Sequence, residues 1–207
     1  KSKDQKIKIG IAIGLLLLCR VVLIHPYQIY VGKWNIIHSL PLHLCGVSAI
    51  LSGILLIKFN QFLYEFLILL GIPGAVQALI TPELTLGYDK VLLVEYFISH
   101  GGIVLSGLYL TLVLKNRPRL GAWKGVIIYP QVLLIFIHFI NYNIGSNYMY
   151  TMTKPIAENP LIIGAHPYYY IGFEIIGILH ILLFYYLFTR NREYAEKKEL
   201  TTKVSYE

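Results

Sequence analysis

The sequence predicts an all-α, polytopic membrane bundle, and three observations carry that prediction. The chain is 56% hydrophobic and only 14% charged over its 207 residues, whereas a soluble domain carries about a quarter charged residues to make its polar shell. The apolar residues gather into runs of about 20, the length at which a helix crosses the hydrocarbon core. Within lipid the backbone must satisfy its own polar groups, so only helices or a closed barrel can span, and runs this continuous choose helices. The chain reads as a single transmembrane domain, residues 1–207, with no internal repeat, low-complexity tract or interdomain linker.

Six spans are expected. The first, over 7–24, follows the basic start Lys1, Lys3, Lys6 and Lys8. No small-residue cleavage site follows it, so it is a retained helix and not a signal peptide. The chain begins with Lys and not Met; a further helix before it is expected, making seven in the full-length protein. The second span, 41–57, opens on Pro41, which suits the first turn of a helix because its missing N–H costs nothing there; Ser39 is the expected cap. The third, 61–80, contains Gly71, Pro73 and Gly74, which predict a kink. The remaining spans are 91–114, 125–144 and 168–189. The pairs His25–Pro26 and His166–Pro167 read as span boundaries.

Orientation follows from the charges. Of 18 Lys and Arg residues, fourteen lie at the start, at Lys58, in the 115–124 loop and in the tail. Lys33, Lys90 and Lys154 lie in the other loops, and Arg20 lies inside the first span. The positive-inside rule puts both visible ends in the cytoplasm. Basic residues distributed in this way mark topology, so the net charge of +7 indicates no nucleic-acid partner. Tyr27, Tyr30, Trp34, Tyr148, Tyr150 and Tyr168–Tyr170 then form an aromatic belt at the outer edge.

Depth is the informative variable for the polar residues. At 1.5 Å per residue, Gln77 lies about 5 Å below the outer ends, Cys45 and Glu95 about 6 Å, His138 and Glu174 about 9 Å, and His100 about 14 Å. His43 and Asn141 are shallower still. Ionisable groups inside a membrane cost about 2.5–3.5 kcal/mol each near its centre. Polar groups from five spans in one leaflet therefore predict a cavity open to the outer face. Gln131, His180 and Glu65 fall outside the set. The 141–153 segment, NYNIGSNYMYTMT, is either an interfacial loop or a lid over the cavity, with Asn147 and Tyr148 as its candidate contacts.

The chemistry centres on SLPLHLCG, residues 39–46. Cys45 lies near a helix N-terminus, where the macrodipole favours a thiolate, and a histidine base would activate it further. His43 is two residues away and points elsewhere on a helix, so the base comes from another span. His138 is nearer in depth; His100, in SHGGI, has Gly101 and Gly102 beside it for close approach. A Cys19–Cys45 disulfide is a rival reading. No His-x-x-x-His or Cys-x-x-Cys spacing indicates a metal, and the G-x-S-x-G elbow of serine hydrolases is absent.

SLPLHLCG, the ALITP segment (Ala78–Pro82), SHGGIVLSGLY (Ser99–Tyr109) and GSNYMYT (Gly145–Thr151) resemble, in order and spacing, the YwaF-type bacterial integral membrane proteins. The resemblance runs from the first visible helix to the sixth. It implies a multi-pass protein of the bacterial cytoplasmic membrane with an additional N-terminal helix. The family is similar, more distantly, to a mammalian transmembrane acyltransferase that remodels ether phospholipids. That similarity implies a Cys acyl-enzyme with Cys45 as nucleophile and His100 as its partner.

The expected function is thus acyl transfer or transacylation on phospholipid or lysophospholipid, with no cofactor and no metal. Cys45 and His100 are the expected catalytic pair. His43, Gln77, Glu95, His138, Asn141, Asn147, Tyr148 and Glu174 are the expected supporting or substrate-binding groups. Two other classes fit the same composition: a non-enzymatic lipid or small-molecule binding protein, receptor-like or a transporter, and a metal-dependent lipid hydrolase. The absence of internal repeats lowers the transporter variant.

Overall fold

The computed structural model describes residues 2–84, 89–155, 162 and 164–204. Among them there is no strand. The order is α1 (Lys3–Tyr30), α2 (Leu44–Ile57), α3 (Gln61–Phe66), a π turn (Leu67–Gly71), α4 (Ile72–Ile80), α5 (Lys90–Leu108), a second π turn (Tyr109–Val113), α6 (Ala122–Ile144), a 3-10 turn (Tyr148–Tyr150) and α7 (Tyr169–Val204). The runs Lys3–Tyr30, Gln61–Ile80, Lys90–Val113, Ala122–Ile144 and Tyr169–Arg190 are long and apolar enough to cross a membrane, and α2 is a shorter apolar helix of 14 residues.

The structure bears on three local expectations. First, α1 does not end at His25–Pro26; it carries Pro26 inside and runs on to Tyr30. Second, the third run changes helix type where Gly71, Pro73 and Gly74 predict a kink, being π-helical over Leu67–Gly71 and α-helical from Ile72. Pro73 has no N–H for the carbonyl four residues back, and its ring would crowd that carbonyl. The helix widens by one residue instead, and the Ile72 N–H bonds to the Leu67 carbonyl. Third, α2 does not start at Pro41 with Ser39 as its cap. It starts at Leu44 with His43 at the N-cap in extended conformation, while Ser39 Oγ accepts from the Asn35 N–H at 3.0 Å.

The rod made by α3, the π turn and α4 forms the centre, with Tyr64, Leu67, Ile68, Leu69 and Ala75 fully buried. On one side α1 packs closely on α2, because small residues let the backbones approach: a Cβ at Gly14 would lie 2.7 Å from the Gly53 carbonyl oxygen. Gly102 accommodates Leu17 of α1 in the same way, and Gly107 accommodates Ile72 of α4. Arg20 of α1 pairs with Glu95 of α5 across this seam.

On the other side, α6 and α7 join the core at the end of the bundle where α3 begins. Val126 and Ile181 pack with Leu67 and Ile68 in the buried cluster. Glu65 anchors this end. Its buried carboxylate accepts from Gln61 Nε2 at 2.8 Å, from the Arg119 backbone N–H at 2.8 Å and from Arg119 Nη2 at 2.7 Å. Toward the other end, a cavity lies between α4 and the pair α6–α7.

Candidate functional site

The cavity has a volume of about 680 Å³ and is lined by α2, α4, α5, α6, α7 and the 147–155 segment. Cys45, His43 and His100 all line it, together with Gln77, Glu174 and Asn147. Much of the remaining wall is apolar.

SLPLHLCG builds one edge of the cavity by folding back on itself. Residues 39–43 form a turn that packs on the first turn of α2. A Cβ at Gly46 would lie 2.8 Å from the Pro41 Cα, so only glycine fits this close approach. Cys45 is consequently the second residue of α2, in the turn whose N–H groups have no partner within the helix. His43 stands outside the helix. The expectation that it points away from Cys45 assumed helical geometry, which an extended N-cap does not have.

The imidazole tautomers follow from their partners. His100 Nδ1 lies 2.7 Å from the Tyr96 carbonyl oxygen. That oxygen only accepts, so Nδ1 carries the proton and Nε2 of the neutral ring is a bare base. His43 has the opposite arrangement: its Nδ1 accepts from the Met149 N–H at 3.2 Å, so Nε2 carries the proton and is a donor. Among the described residues Cys45 Sγ makes no hydrogen bond, and both cysteines are free, with Cys19 exposed on α1. The Cys19–Cys45 disulfide is not formed in this structure.

The 3-10 turn and its flanks cover the site. Asn141, wholly buried in α6, holds them. Its Nδ2 donates to the Tyr148 carbonyl (2.8 Å) and to Thr151 Oγ1 (2.7 Å), and its Oδ1 accepts from Ser146 Oγ (2.6 Å) and from the Tyr148 N–H (2.9 Å). Asn147 clips the far side through bonds to Thr153 and the Met152 N–H. These bonds hold Met149 and Tyr150 in left-handed backbone conformations, with φ of 52° and 55°, which bulky residues adopt only when their surroundings impose it. Tyr148 points back to the 36–40 strap, donating to the Ile36 carbonyl at 2.6 Å. Tyr150 donates to Glu83 Oε2 at 2.6 Å and stacks on Phe173 of α7. Burial and that bond to a carboxylate both push the Tyr150 phenol above its ordinary range, so it remains a protonated donor.

Several sequence-selected residues stand elsewhere. His138 is exposed on the outside of α6 and does not line the cavity. Glu95 is engaged by Arg20. Asn141 and Tyr148 brace the covering segment and are not cavity groups. Conversely, Gln131 and His180, set aside on depth, line the cavity, as do Glu83, Tyr96 and Tyr150. Depth counted from helix ends fails for them because the cavity extends well down α6 and α7. Gln131 Nε2 donates to Glu174 Oε2 at 2.9 Å, joining α6 to α7. No three His, Cys, Asp or Glu side chains among the described residues are grouped to hold a metal ion.

Helices long and apolar enough to span a membrane, around a cavity lined by both polar and apolar side chains, define a multi-pass membrane protein with a candidate intramembrane site. The chain belongs to the TMEM164 family, whose model matches residues 1–185. No curated protein and no solved structure matches it at a significant level.

Proposed function

We propose that the protein is a membrane-embedded acyltransferase or transacylase that moves an acyl chain between phospholipid and lysophospholipid through a thioester on Cys45. The observation that carries this reading is that Cys45, His43 and His100 line one cavity whose walls are otherwise largely apolar. The resemblance of SLPLHLCG and SHGGI to the YwaF-type proteins points the same way.

In the first half-reaction Cys45 Sγ attacks the ester carbonyl carbon and its proton passes to His100 Nε2. The pair begins neutral, the state an apolar cavity favours. The tetrahedral oxyanion accepts from the His43 Nε2–H and from the N–H groups at the start of α2; one such donor is worth about 3–4 kcal/mol in the transition state. The C–O bond breaks, and the departing lysolipid alkoxide takes the proton from His100. In the second half-reaction the hydroxyl of an acceptor lysophospholipid attacks the thioester, giving its proton to His100. The Cys45 thiolate leaves and recovers that proton. No oxidant, cofactor or metal is needed for the balance.

The test is to incubate purified protein with acyl-labelled phospholipid and look for the acyl group on the Cys45 peptide by mass spectrometry. The expected result is a hydroxylamine-labile adduct on Cys45, absent in Cys45→Ala, with transfer to lysophospholipid lost in that variant. An unmodified Cys45 and undiminished transfer in Cys45→Ala would sink the reading. Lipid binding that survives Cys45→Ala, with no turnover in either protein, would favour a non-covalent binding protein.

A further inference from the structure

The cavity continues well beyond the reactive side chains. Its lining on the central rod runs from Thr81 down to Phe66, about 22 Å of helix at 1.5 Å per residue. On α7 it runs from Tyr170 to Ile181, about 16 Å on the same scale. Phe66, Val126 and Ile181 are the last lining residues on their three helices, all toward the end where α3 begins. All three are buried. They form a floor. Above it Leu70, Ile127 and Leu134 make an apolar wall. The polar groups in this arm have partners within the protein: Gln131 donates to Glu174, and His180 Nδ1 donates to the Ile176 carbonyl at 2.8 Å.

We infer that this arm is the binding site for a single lipid acyl chain, with Gly177 keeping it open and Phe66, Val126 and Ile181 limiting the length of chain it accepts. The dimensions fit. One leaflet of the hydrocarbon core is about 15 Å deep, so an extended chain reaching in from the Cys45 end is matched by the arm. A volume of about 680 Å³ is also in the range of pockets that enclose a single small ligand. Gly177 lines the arm, and a Cβ built there meets nothing within 4 Å. A side chain at 177 therefore enters the cavity without disturbing the packing of α7. The inference rests on the proposed acyl transfer only for which chain is held, the one esterified to the donor or carried on Cys45.

The experiment measures binding of a series of lysophosphatidylcholines, differing only in chain length, to the protein in nanodiscs by native mass spectrometry. Wild type, Gly177→Phe, Gly177→Leu and Phe66→Ala are compared, with acylation of Cys45 followed in parallel. Gly177→Phe is expected to shift the preference to shorter chains, losing about fourfold in affinity per excluded methylene, and Phe66→Ala is expected to shift it to longer ones. Gly177→Leu gives a smaller shift in the same direction and serves if the Phe variant fails to fold. Unchanged chain-length preference in both Phe66→Ala and a folded Gly177 variant, with Cys45 acylation intact, overturns the arm and leaves the chemistry standing. A shifted preference with no acylation of Cys45 in wild type supports the arm and overturns the chemistry.

Discussion

At the residue scale, His43 and His100, which line the cavity with Cys45, are distinguished by which ring nitrogen their neighbours occupy. The Tyr96 carbonyl takes the Nδ1 proton of His100 and leaves Nε2 basic. The Met149 N–H takes the Nδ1 lone pair of His43 and leaves Nε2 a donor. Hydrogen bonds to backbone thus set opposite tautomers on the two rings, which the proposed mechanism uses as base and oxyanion donor. His100→Ala is expected to slow Cys45 acylation by about 10²–10⁴-fold, the ordinary worth of a general base, while His138→Ala leaves it unchanged. Single-turnover acylation rates check both. Equal effects of the two variants would remove the distinction. Cys45 and His100 were legible in the sequence as candidates. The preference for His100 over His138 came from the family resemblance and not from spacing, because spacing does not tell which face of α6 meets lipid, and in a membrane helix both faces are apolar.

At the scale of elements, connections decide more than helices do. The helical runs follow from composition alone, whereas the turn before α2, the π turn before Pro73 and the segment built on Asn141 depend on specific contacts: Pro41 against Gly46, the missing Pro73 N–H, and the Asn141 and Tyr148 hydrogen bonds. The Arg20–Glu95 pair is an example within the helices. It joins α1 to α5 five residues before His100. Removing one member of a poorly hydrated pair leaves the other uncompensated, at a cost of about 3–5 kcal/mol. Arg20→Met is therefore expected to lower the unfolding midpoint in detergent strongly, and Arg20→Met with Glu95→Gln to recover most of the loss. A double variant no better than Arg20→Met would show that the two residues are not coupled. The sequence identified Glu95 as a polar group at the right depth, but depth could not tell a partner of Arg20 from a lining group of the cavity.

At the scale of the whole molecule, charge and cavity lie at opposite ends. Lys3, Lys6, Lys8, Lys58, Arg119 and Lys124 belong to the helix ends away from Cys45. At this end Tyr109 Oη donates to the Lys6 carbonyl at 2.7 Å. The positive-inside rule predicts a cytoplasmic basic end, which would set the Cys45 end toward the opposite leaflet. With Cys19 and Cys45 replaced by Ser, a Lys154→Cys protein should react with a membrane-impermeant maleimide on intact cells, and a Lys124→Cys protein only after lysis. The reverse pattern would invert the orientation.

The sequence by itself determined that this is a helical membrane protein, approximately where its helices run and which chemically capable residues it carries. Hydrophobicity and the length of an apolar run are local properties, and lipid leaves the backbone no alternative to the helix. Only the tertiary structure decided which polar groups share a cavity. It left His43 outside α2, at an extended N-cap, lining the same cavity as Cys45. It turned His138 outward, brought Gln131 and His180 in, and made Asn141 a brace. Such choices depend on how helices rotate and tilt against one another, and small residues, π turns and buried hydrogen bonds between distant segments set that rotation.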